Sequence, residues 1–508
     1  MQISSLLNNF PTLRLAKGSK DSDIGYIWTD SRLIEKKDIF LIDDNNCKIE
    51  HFQNAIDNGS TTCIAYKGSK FLDEAINYFP TVIESEELIL SIHGDIASFL
   101  LGHPSKNLKI FAVTGTNGKT SVTHILYHFS MTLGIKSGVI GTVNARFGTE
   151  TIDTGYTTPE PSLLQKILRA MVDDEIEFVF MEASSHGLKL GRMNGVEIDV
   201  AIFTNLTKDH LDFHKTMDDY LLSKFQLFVL LEKSSKKDKY GIVYKDASGG
   251  SEIAKLLADR SMKTPISYIG KGEEFQFMNT TLGIKGSDFL FCHSIPESTF
   301  QRTLRIKTNL LGGFNVINLS IAIATWMSTD IAPEKLSFLC EYVPRIPGRF
   351  DIYHSSTGDK LAVVDYAHTP DAILNILQSC REMKPTYLIC LFGCGGDRDR
   401  TKRTEMAKIA EDNSDLVIIT SDNPRTESPS LILDEIQSGF SKDFTSFQRI
   451  EDRRDAIRYG IEQLPAGGIL AVCGKGHENY QIIGKEKLYF HDGEEVEFAF
   501  KNFDPDRM

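Results

Sequence analysis

Gly115-Thr-Asn-Gly-Lys-Thr120 follows the apolar run Phe111-Ala-Val-Thr114 and opens a helical pattern from Ser121 to Leu133. A strand feeding a glycine turn aims several backbone N–H groups and a helix N-terminus at one point, where their partial positive charge favours phosphate. Gly115, Thr116, Asn117 and Gly118 would cradle the phosphates, Lys119 would reach the terminal ones, and the Thr120 hydroxyl would sit on Mg²⁺. The usual spacing G-x-x-x-x-G-K-[ST] is broken once, because Val113 stands where its first glycine would be. Taken alone, the stretch also fits a generic ATPase or GTPase.

Two further apolar runs end in polar sequences of the same kind. Phe178 to Met181 leads into Glu182-Ala-Ser-Ser-His-Gly187, and Val200 to Phe203 leads into Thr204-Asn-Leu-Thr-Lys-Asp-His-Leu-Asp212. Glu182 and His210, brought beside the Thr120 hydroxyl, would make a mixed Mg²⁺ shell of oxygen ligands with one imidazole. Lys224, within the helical pattern Tyr220 to Phe228, reads by itself as a lysine whose stem lies along an apolar face. Later in the chain come Arg349 in Ile346-Pro-Gly-Arg-Phe350 and Asp365 in Asp-Tyr-Ala-His-Thr-Pro370. The clusters Gly393-Cys-Gly-Gly-Asp-Arg-Asp-Arg400, Asp422-Asn-Pro-Arg425 and Gly474-Lys-Gly-His-Glu478 follow. Arginines set among carboxylates suit a zwitterionic ligand, since guanidinium takes a carboxylate in bidentate fashion and a carboxylate receives an ammonium. Asp422 to Arg425 also fits a turn that caps the next helix.

The elements that must position these groups predict an α/β protein of three domains. Residues 1–104 read as a small α/β N-terminal domain, with apolar runs at 38–42 and 62–66 around a helix at 51–58. Thr29-Asp-Ser-Arg32 within it reads either as a turn or as a site for a diphosphate or uracil edge. Gly102-His-Pro-Ser-Lys106 reads as a linker. Residues 105–342 alternate short apolar strands and helices, as a central P-loop-type, doubly wound, mostly parallel sheet does, with an antiparallel excursion at 264–308. A helix opened by Leu310-Leu-Gly-Gly-Phe-Asn-Val-Ile-Asn318 ends near Trp326. Residues 343–508 repeat the rhythm as a C-terminal Rossmann-like α/β domain, with strands at 361–364, 387–391, 416–420 and 469–473 and helices at 371–383, 401–412, 430–440 and 452–463. In such sheets ligands gather beyond the carboxyl ends of the strands, where the polar clusters fall.

The composition narrows the function classes. With 508 residues and a formal net charge of −13, the chain lacks the basic surface that a nucleic-acid partner demands. No apolar run approaches the roughly 20 residues that cross a bilayer, so no membrane insertion is expected. The N-terminal residues lack a signal-peptide pattern and the eight cysteines form no C-x-x-C pair, which predicts reduced thiols and a cytoplasmic protein.

Together, the loop without a glycine at 113, Glu182, His210, Lys224, Arg349, Asp365 and the strand-end clusters resemble the Mur ligases over nearly the whole chain. These are ATP-dependent amino-acid ligases of peptidoglycan synthesis. The resemblance implies ATP phosphates on Gly115 to Thr120, adenine near Asn315 and Asn318, and further nucleotide contacts at Arg349 and Asp365. It implies Mg²⁺ on Thr120, Glu182 and His210, a second Mg²⁺ held with a carbamylated Lys224, and catalysis by Lys119, Glu182, His210 and Lys224. Within the family, Tyr156-Thr-Thr-Pro159 with Ser184 and Arg192 matches members that extend UDP-N-acetylmuramoyl-L-alanyl-D-glutamate. That implies nucleotide-substrate contacts at Ser31, Arg32, Thr157, Thr158, Ser184 and Arg192. Where the family usually carries an Asp-Gly-His segment, this chain reads Asn45-Asn-Cys-Lys-Ile-Glu-His51. Asp422, Asn423, Pro424 and Arg425 match members that add meso-diaminopimelate, with Arg398, Gly474 and Glu478 as partners. The expected partners are thus small molecules (the UDP-linked substrate, meso-diaminopimelate and ATP), acting on a monomer. L-Lysine as the added residue, a folylpolyglutamate-synthase-like ligase and a non-catalytic nucleotide-binding regulator remain the alternatives.

Overall fold

A computed structural model describes residues 1–283, 285–294, 301–329 and 331–504, and of residue 301 the backbone only. Runs of Val, Ile and Phe that are apolar at every position, rather than at alternate ones, require burial on both faces. Three sheets supply it, each from one consecutive stretch of chain, and the protein is a three-domain α/β structure.

The first sheet has five strands in the order Leu13–Lys17, Thr81–Ser85, Thr62–Tyr66, Ile39–Ile42, Ile27–Trp28, and is parallel except at Leu13–Lys17. The central sheet has eleven strands with a parallel middle, Ile266–Ile269, Tyr240–Tyr244, Val200–Phe203, Lys109–Thr114, Phe178–Glu182 and Ser137–Ile140 in spatial order. Successive residues of Lys109–Thr114 point to opposite faces: Ile110 and Ala112 join one buried cluster, Phe111 and Val113 the other. The third sheet runs Asp351–His354, Leu361–Asp365, Ile469–Cys473, Leu388–Phe392, Leu416–Ile419, Phe447–Arg449, with only the first strand antiparallel.

Most predicted elements lie within one to three residues of those observed; the loop helix, for example, spans Lys119–Thr132, so Lys119 itself is in its first turn. Three corrections arise. Within 264–308, Ile266–Ile269 still pairs in parallel, and the antiparallel part is formed by Phe275–Gly283, Gly286–Ser294 and Gln301–Thr308. The predicted linker contains a 3₁₀ turn, Pro104–Asn107, with Pro104 and Ser105 buried. A hairpin, Ala145–Phe147 with Glu150–Ile152, extends the opposite edge of the sheet, where short, partly exposed strands give no apolar run to read.

Register fixes what reaches the phosphate loop. Pairing sets Glu182 beside Val113 and Phe203 beside Thr114, so three adjacent strands end together and their following polar residues converge. The third sheet is oriented with its own strand ends toward the same place: Asp365, Ala367 and Tyr366 approach residues 116–121 across one cavity.

Candidate functional site

Gly118 carries φ +86°, and a Cβ there would lie 2.5 Å from Asn318 Oδ1, so the turn into the helix requires glycine both for conformation and for space. Asn117 N donates to Asn205 Oδ1 (3.0 Å), and Thr116 N to the Asn205 carbonyl (2.9 Å), which ties the loop to the neighbouring strand end. Lys119 Nζ donates to the Gly115 and Thr116 carbonyls (2.8 Å each). Desolvation lowers its pKa, opposed first by Glu182.

Glu182 is fully buried at its strand end. It accepts from Thr142 N at Oε1 (2.8 Å) and from the Thr120 and Thr142 hydroxyls at Oε2 (3.0 Å each). It therefore reaches the cavity through those hydroxyls rather than lining it. His210, at φ +54°, does line the cavity, and its Nε2 lies 3.4 Å from Asp209 Oδ2. Lost solvation in the cleft, with His186, Lys119 and Lys224 nearby, pushes its pKa down to about 4 against the pull of Asp209. Lys224 is buried at the cavity edge, with its Nζ 4.2 Å from the centre of the Tyr220 ring and no carboxylate in ion-pair contact among the described residues. Burial, then Lys119, lowers its pKa well below the ordinary lysine value.

Thr120, Glu182 and a neutral His210 offer the hard oxygen donors and single imidazole that Mg²⁺ tolerates. Among the described residues no group of three His, Cys, Asp or Glu is placed to hold a metal by itself. An ion bound here would therefore complete its shell with phosphate oxygens and water, the usual arrangement for Mg²⁺ on a nucleotide. The donor set fits the ion.

The phosphate-loop cavity, of about 230 Å³, is also lined by Thr157, Ser184, Arg349 and Asp365. Asp365 accepts from Phe350 N (2.7 Å), and burial raises its pKa to about 6 against the pull of Arg349. A second cavity, of about 620 Å³, opens next to it. Its third-domain wall includes Arg398, Asp422, Asn423, Arg425, Gly474 and Glu478, and Asp209, His210, Tyr366, His368 and Thr369 belong to both cavities. Arg425 has φ +51° and is held by Arg425 N to the Ile482 carbonyl (3.0 Å) and Arg425 Nη1 to the Gly396 carbonyl (2.8 Å). Arg398 is exposed, and among the described residues it bonds only the adjacent Asp397 carbonyl (3.2 Å).

Several expected site residues stand behind the walls. Thr158 joins its hydroxyl to Ser184 Oγ (3.0 Å) and to the Glu182 carbonyl (2.9 Å). Arg192 pairs with Glu160 (2.9 Å), stacks on Tyr156 (4.1 Å) and donates to the Thr158 carbonyl (3.1 Å). Asn315 and Asn318 are buried one turn apart, with Asn315 Nδ2 bonded to the Leu311 carbonyl (2.9 Å). Pro424 shapes the turn without lining the cavity. Ser31 and Arg32 lie on the first domain, outside both cavities; Ser31 is buried, and Arg32 is paired with Asp30 at the surface.

Sequence reasoning left Asp209, Tyr366 and His368 without roles although each stood inside a quoted strand-end cluster. Lys402, whose Nζ donates to the His368 carbonyl (2.9 Å), lines the larger cavity from a helix and gave no signal in sequence.

Residues 113–326 match the Mur ligase middle domain, and residues 348–476 match the Mur ligase glutamate ligase domain. A UDP-N-acetylmuramoyl-L-alanyl-D-glutamate--2,6-diaminopimelate ligase of Leptospira borgpetersenii is 47% identical, over 99% of this chain and 100% of that one. An enzyme of the same name from Syntrophomonas wolfei is 35% identical over 97% of each. A solved structure of a ligase with this name superposes with a TM-score of 0.68 at 28% identity, over 99% of both chains. With three α/β sheets in succession along the chain, a phosphate loop at the middle of the central one and a second strand-end wall facing it, this chain belongs to the Mur ligase family.

Proposed function

We propose that the protein joins meso-2,6-diaminopimelate to the D-glutamate of UDP-N-acetylmuramoyl-L-alanyl-D-glutamate, at the expense of ATP hydrolysed to ADP and phosphate, as a step in cytoplasmic peptidoglycan precursor synthesis. The observation that carries this reading is that the phosphate-loop cavity and the larger, charge-lined cavity adjoin at Asp209, His210 and Tyr366. A phosphorylated acid formed in the first would meet an amine held in the second.

In this reading residues 1–104 hold the uridine end of the substrate through Ser31 and Arg32, residues 105–342 hold ATP and the D-glutamate end, and residues 343–508 hold the incoming amino acid. The substrate carboxylate attacks the γ-phosphoryl group and ADP leaves. The amine of diaminopimelate then attacks the acyl phosphate, and the tetrahedral intermediate expels phosphate. Residues 115–120 direct amides at the phosphates, Lys119 and Arg349 neutralise charge developing on the transferred group, and Asp365 orients the nucleotide. Thr120, Glu182 and His210 would hold Mg²⁺, which when bound polarises the phosphate oxygens and spreads their charge. Lys224, buried and in no carboxylate ion pair among the described residues, has its pKa lowered well below the ordinary lysine value by burial, which favours the neutral amine. Such an amine adds to CO₂, and the resulting carbamate would supply the further oxygen ligands of a second ion.

Arg425 and Arg398 would take the distal carboxylate of diaminopimelate, and Glu478 an ammonium. L-Lysine lacks that carboxylate and would leave the guanidinium groups unpaired, a penalty of about 1.5–3 kcal/mol for a lost charged hydrogen bond. The test is ADP release that depends on both the UDP-linked dipeptide and diaminopimelate. Lys119→Ala should abolish it while the circular dichroism spectrum stays unchanged, and release by Lys119→Ala at the wild-type rate would refute the assignment.

A further inference from the structure

Behind the wall of the larger cavity lies a charged group to which the reading above gives no role. Lys475 is completely buried between two glycines. Gly474 has φ +122°, and a Cβ on Gly476 (φ +53°) would come within 2.8 Å of the Tyr366 backbone, so the turn that aims Lys475 inward depends on both. Its Nζ donates to Asn423 Oδ1 (3.2 Å) and to Glu478 Oε2 (3.1 Å).

These bonds settle the state of two neighbours. Asn423 Oδ1 also accepts from Ile482 N (2.9 Å), so with Lys475 it faces two donors, and the amide must present its oxygen to them. Asn423 Nδ2 is then turned to Glu478 Oε2 (2.8 Å). Glu478 Oε2 thereby receives both Lys475 and Asn423. Two of its roughly four acceptor positions are filled by the protein, both on Oε2. The side chain keeps 15% exposure in the cavity wall, which leaves room for one more donor there.

We infer that Lys475 is a positioning residue for the amino-acid substrate: with Ile482 N it fixes the Asn423 amide, and it holds one oxygen of Glu478, so that the other oxygen of Glu478 is left to face a substrate ammonium. This rests on the larger cavity being the amino-acid site. Lys475 touches no substrate in this account. It acts through Glu478 and Asn423, which without it would be a half-buried carboxylate lacking its cation and an amide oxygen held by Ile482 N alone.

The test compares Lys475→Met, Lys475→Arg, Glu478→Gln and the double variant Lys475→Met/Glu478→Gln, using ADP release in steady state with each substrate varied in turn. Lys475→Met is expected to raise KM for diaminopimelate about 10- to 100-fold, the loss of one charge-assisted bond and its geometry. KM for ATP should stay within about twofold. Lys475→Arg should recover part of the loss, and adding Lys475→Met to Glu478→Gln should cost less than about threefold more, because the two act as one unit. An unchanged KM for diaminopimelate, an equal rise in all three KM values, or losses that multiply in the double variant would each overturn the role. Should Lys475→Met not fold, Lys475→Gln is judged by the same criteria. The wild-type arm separates the two levels: no turnover of diaminopimelate by wild type refutes the proposed function, whereas normal turnover with an unaffected Lys475→Met refutes only the role of Lys475.

Discussion

A single methyl group at residue 474 offers a sharp test of how the amino-acid cavity is built. Gly474 follows the strand Ile469–Cys473, its N–H bonds the Asp365 carbonyl (3.1 Å), and its φ is +122°. A Cβ there would stand 2.5 Å from Asp422 Oδ2. Alanine thus meets two costs: a backbone conformation unfavourable by about 1–3 kcal/mol, and an overlap that obliges Asp422 to move by about 1 Å, worth about 1–3 kcal/mol more. Asp422 lines the cavity beside Asn423 and Arg425, so the displacement is felt where diaminopimelate would sit. Gly474→Ala should lose about 2–6 kcal/mol of third-domain stability in urea titration and raise KM for diaminopimelate at least tenfold, with KM for ATP little changed. Gly358→Ala is the control. It shares the strained sign of φ (+75°) and the domain, but its Cβ would meet nothing within 4 Å, so it should cost only the backbone term and leave every KM unchanged. A Gly474→Ala enzyme with wild-type KM for diaminopimelate, or a Gly358→Ala enzyme equally impaired, would refute the reasoning.

Other consequences can be checked separately. Replacing Lys224 by Ala should remove most activity, with partial recovery on adding a small carboxylate; intact-mass measurement of wild type under CO₂ should show one added CO₂ per chain, and a fully active enzyme with a bare amine would exclude carbamylation. Asp365 has its pKa raised from 3.8 to about 6, so above pH 6 the folded protein holds a charge that burial disfavours, at a cost of about 3 kcal/mol that fades as pH falls from 6 and is gone by about pH 4. Asp365→Asn should therefore be more stable than wild type at pH 7 by up to about 3 kcal/mol and lose that advantage near pH 4, while KM for ATP rises; denaturation curves at the two pH values decide. Arg453 and Asp492 form a fully buried pair (2.7 and 2.8 Å), and Arg453→Met, which strands the carboxylate, should cost about 3–5 kcal/mol in chemical denaturation, most of it recovered by Arg453→Met/Asp492→Leu. Removal of Mg²⁺ with EDTA should stop ADP release, and excess Mg²⁺ should restore it.

The parallel strands were legible because burial on both faces writes a continuous apolar run, and the site was legible because such sheets place their polar sequences at strand ends. Thr120, His210, Arg349 and Asp365 meet in one cavity, although they come from strand ends far apart in sequence. What the sequence could not convey was which side chain faces the cavity and which supports it. Glu182 is recognisable as a carboxylate after a strand, yet its withdrawal behind Thr120 and Thr142 depends on the 137–140 strand and the turn after it. The contact of Lys475 with Asn423 joins residues 52 apart, and Arg403 finds Glu427 and Glu435 on separate elements; no periodicity marks such pairs. The 145–152 hairpin escaped because its strands are three residues long and partly exposed.

The most direct test of the central claim is a competition: the purified protein with UDP-N-acetylmuramoyl-L-alanyl-D-glutamate, ATP and Mg²⁺, given equal concentrations of meso-diaminopimelate and L-lysine, with the nucleotide product identified by mass. The account predicts the diaminopimelate tripeptide in large excess, with one ADP released per product. A lysine tripeptide as the main product, or ADP released without any tripeptide, would contradict it.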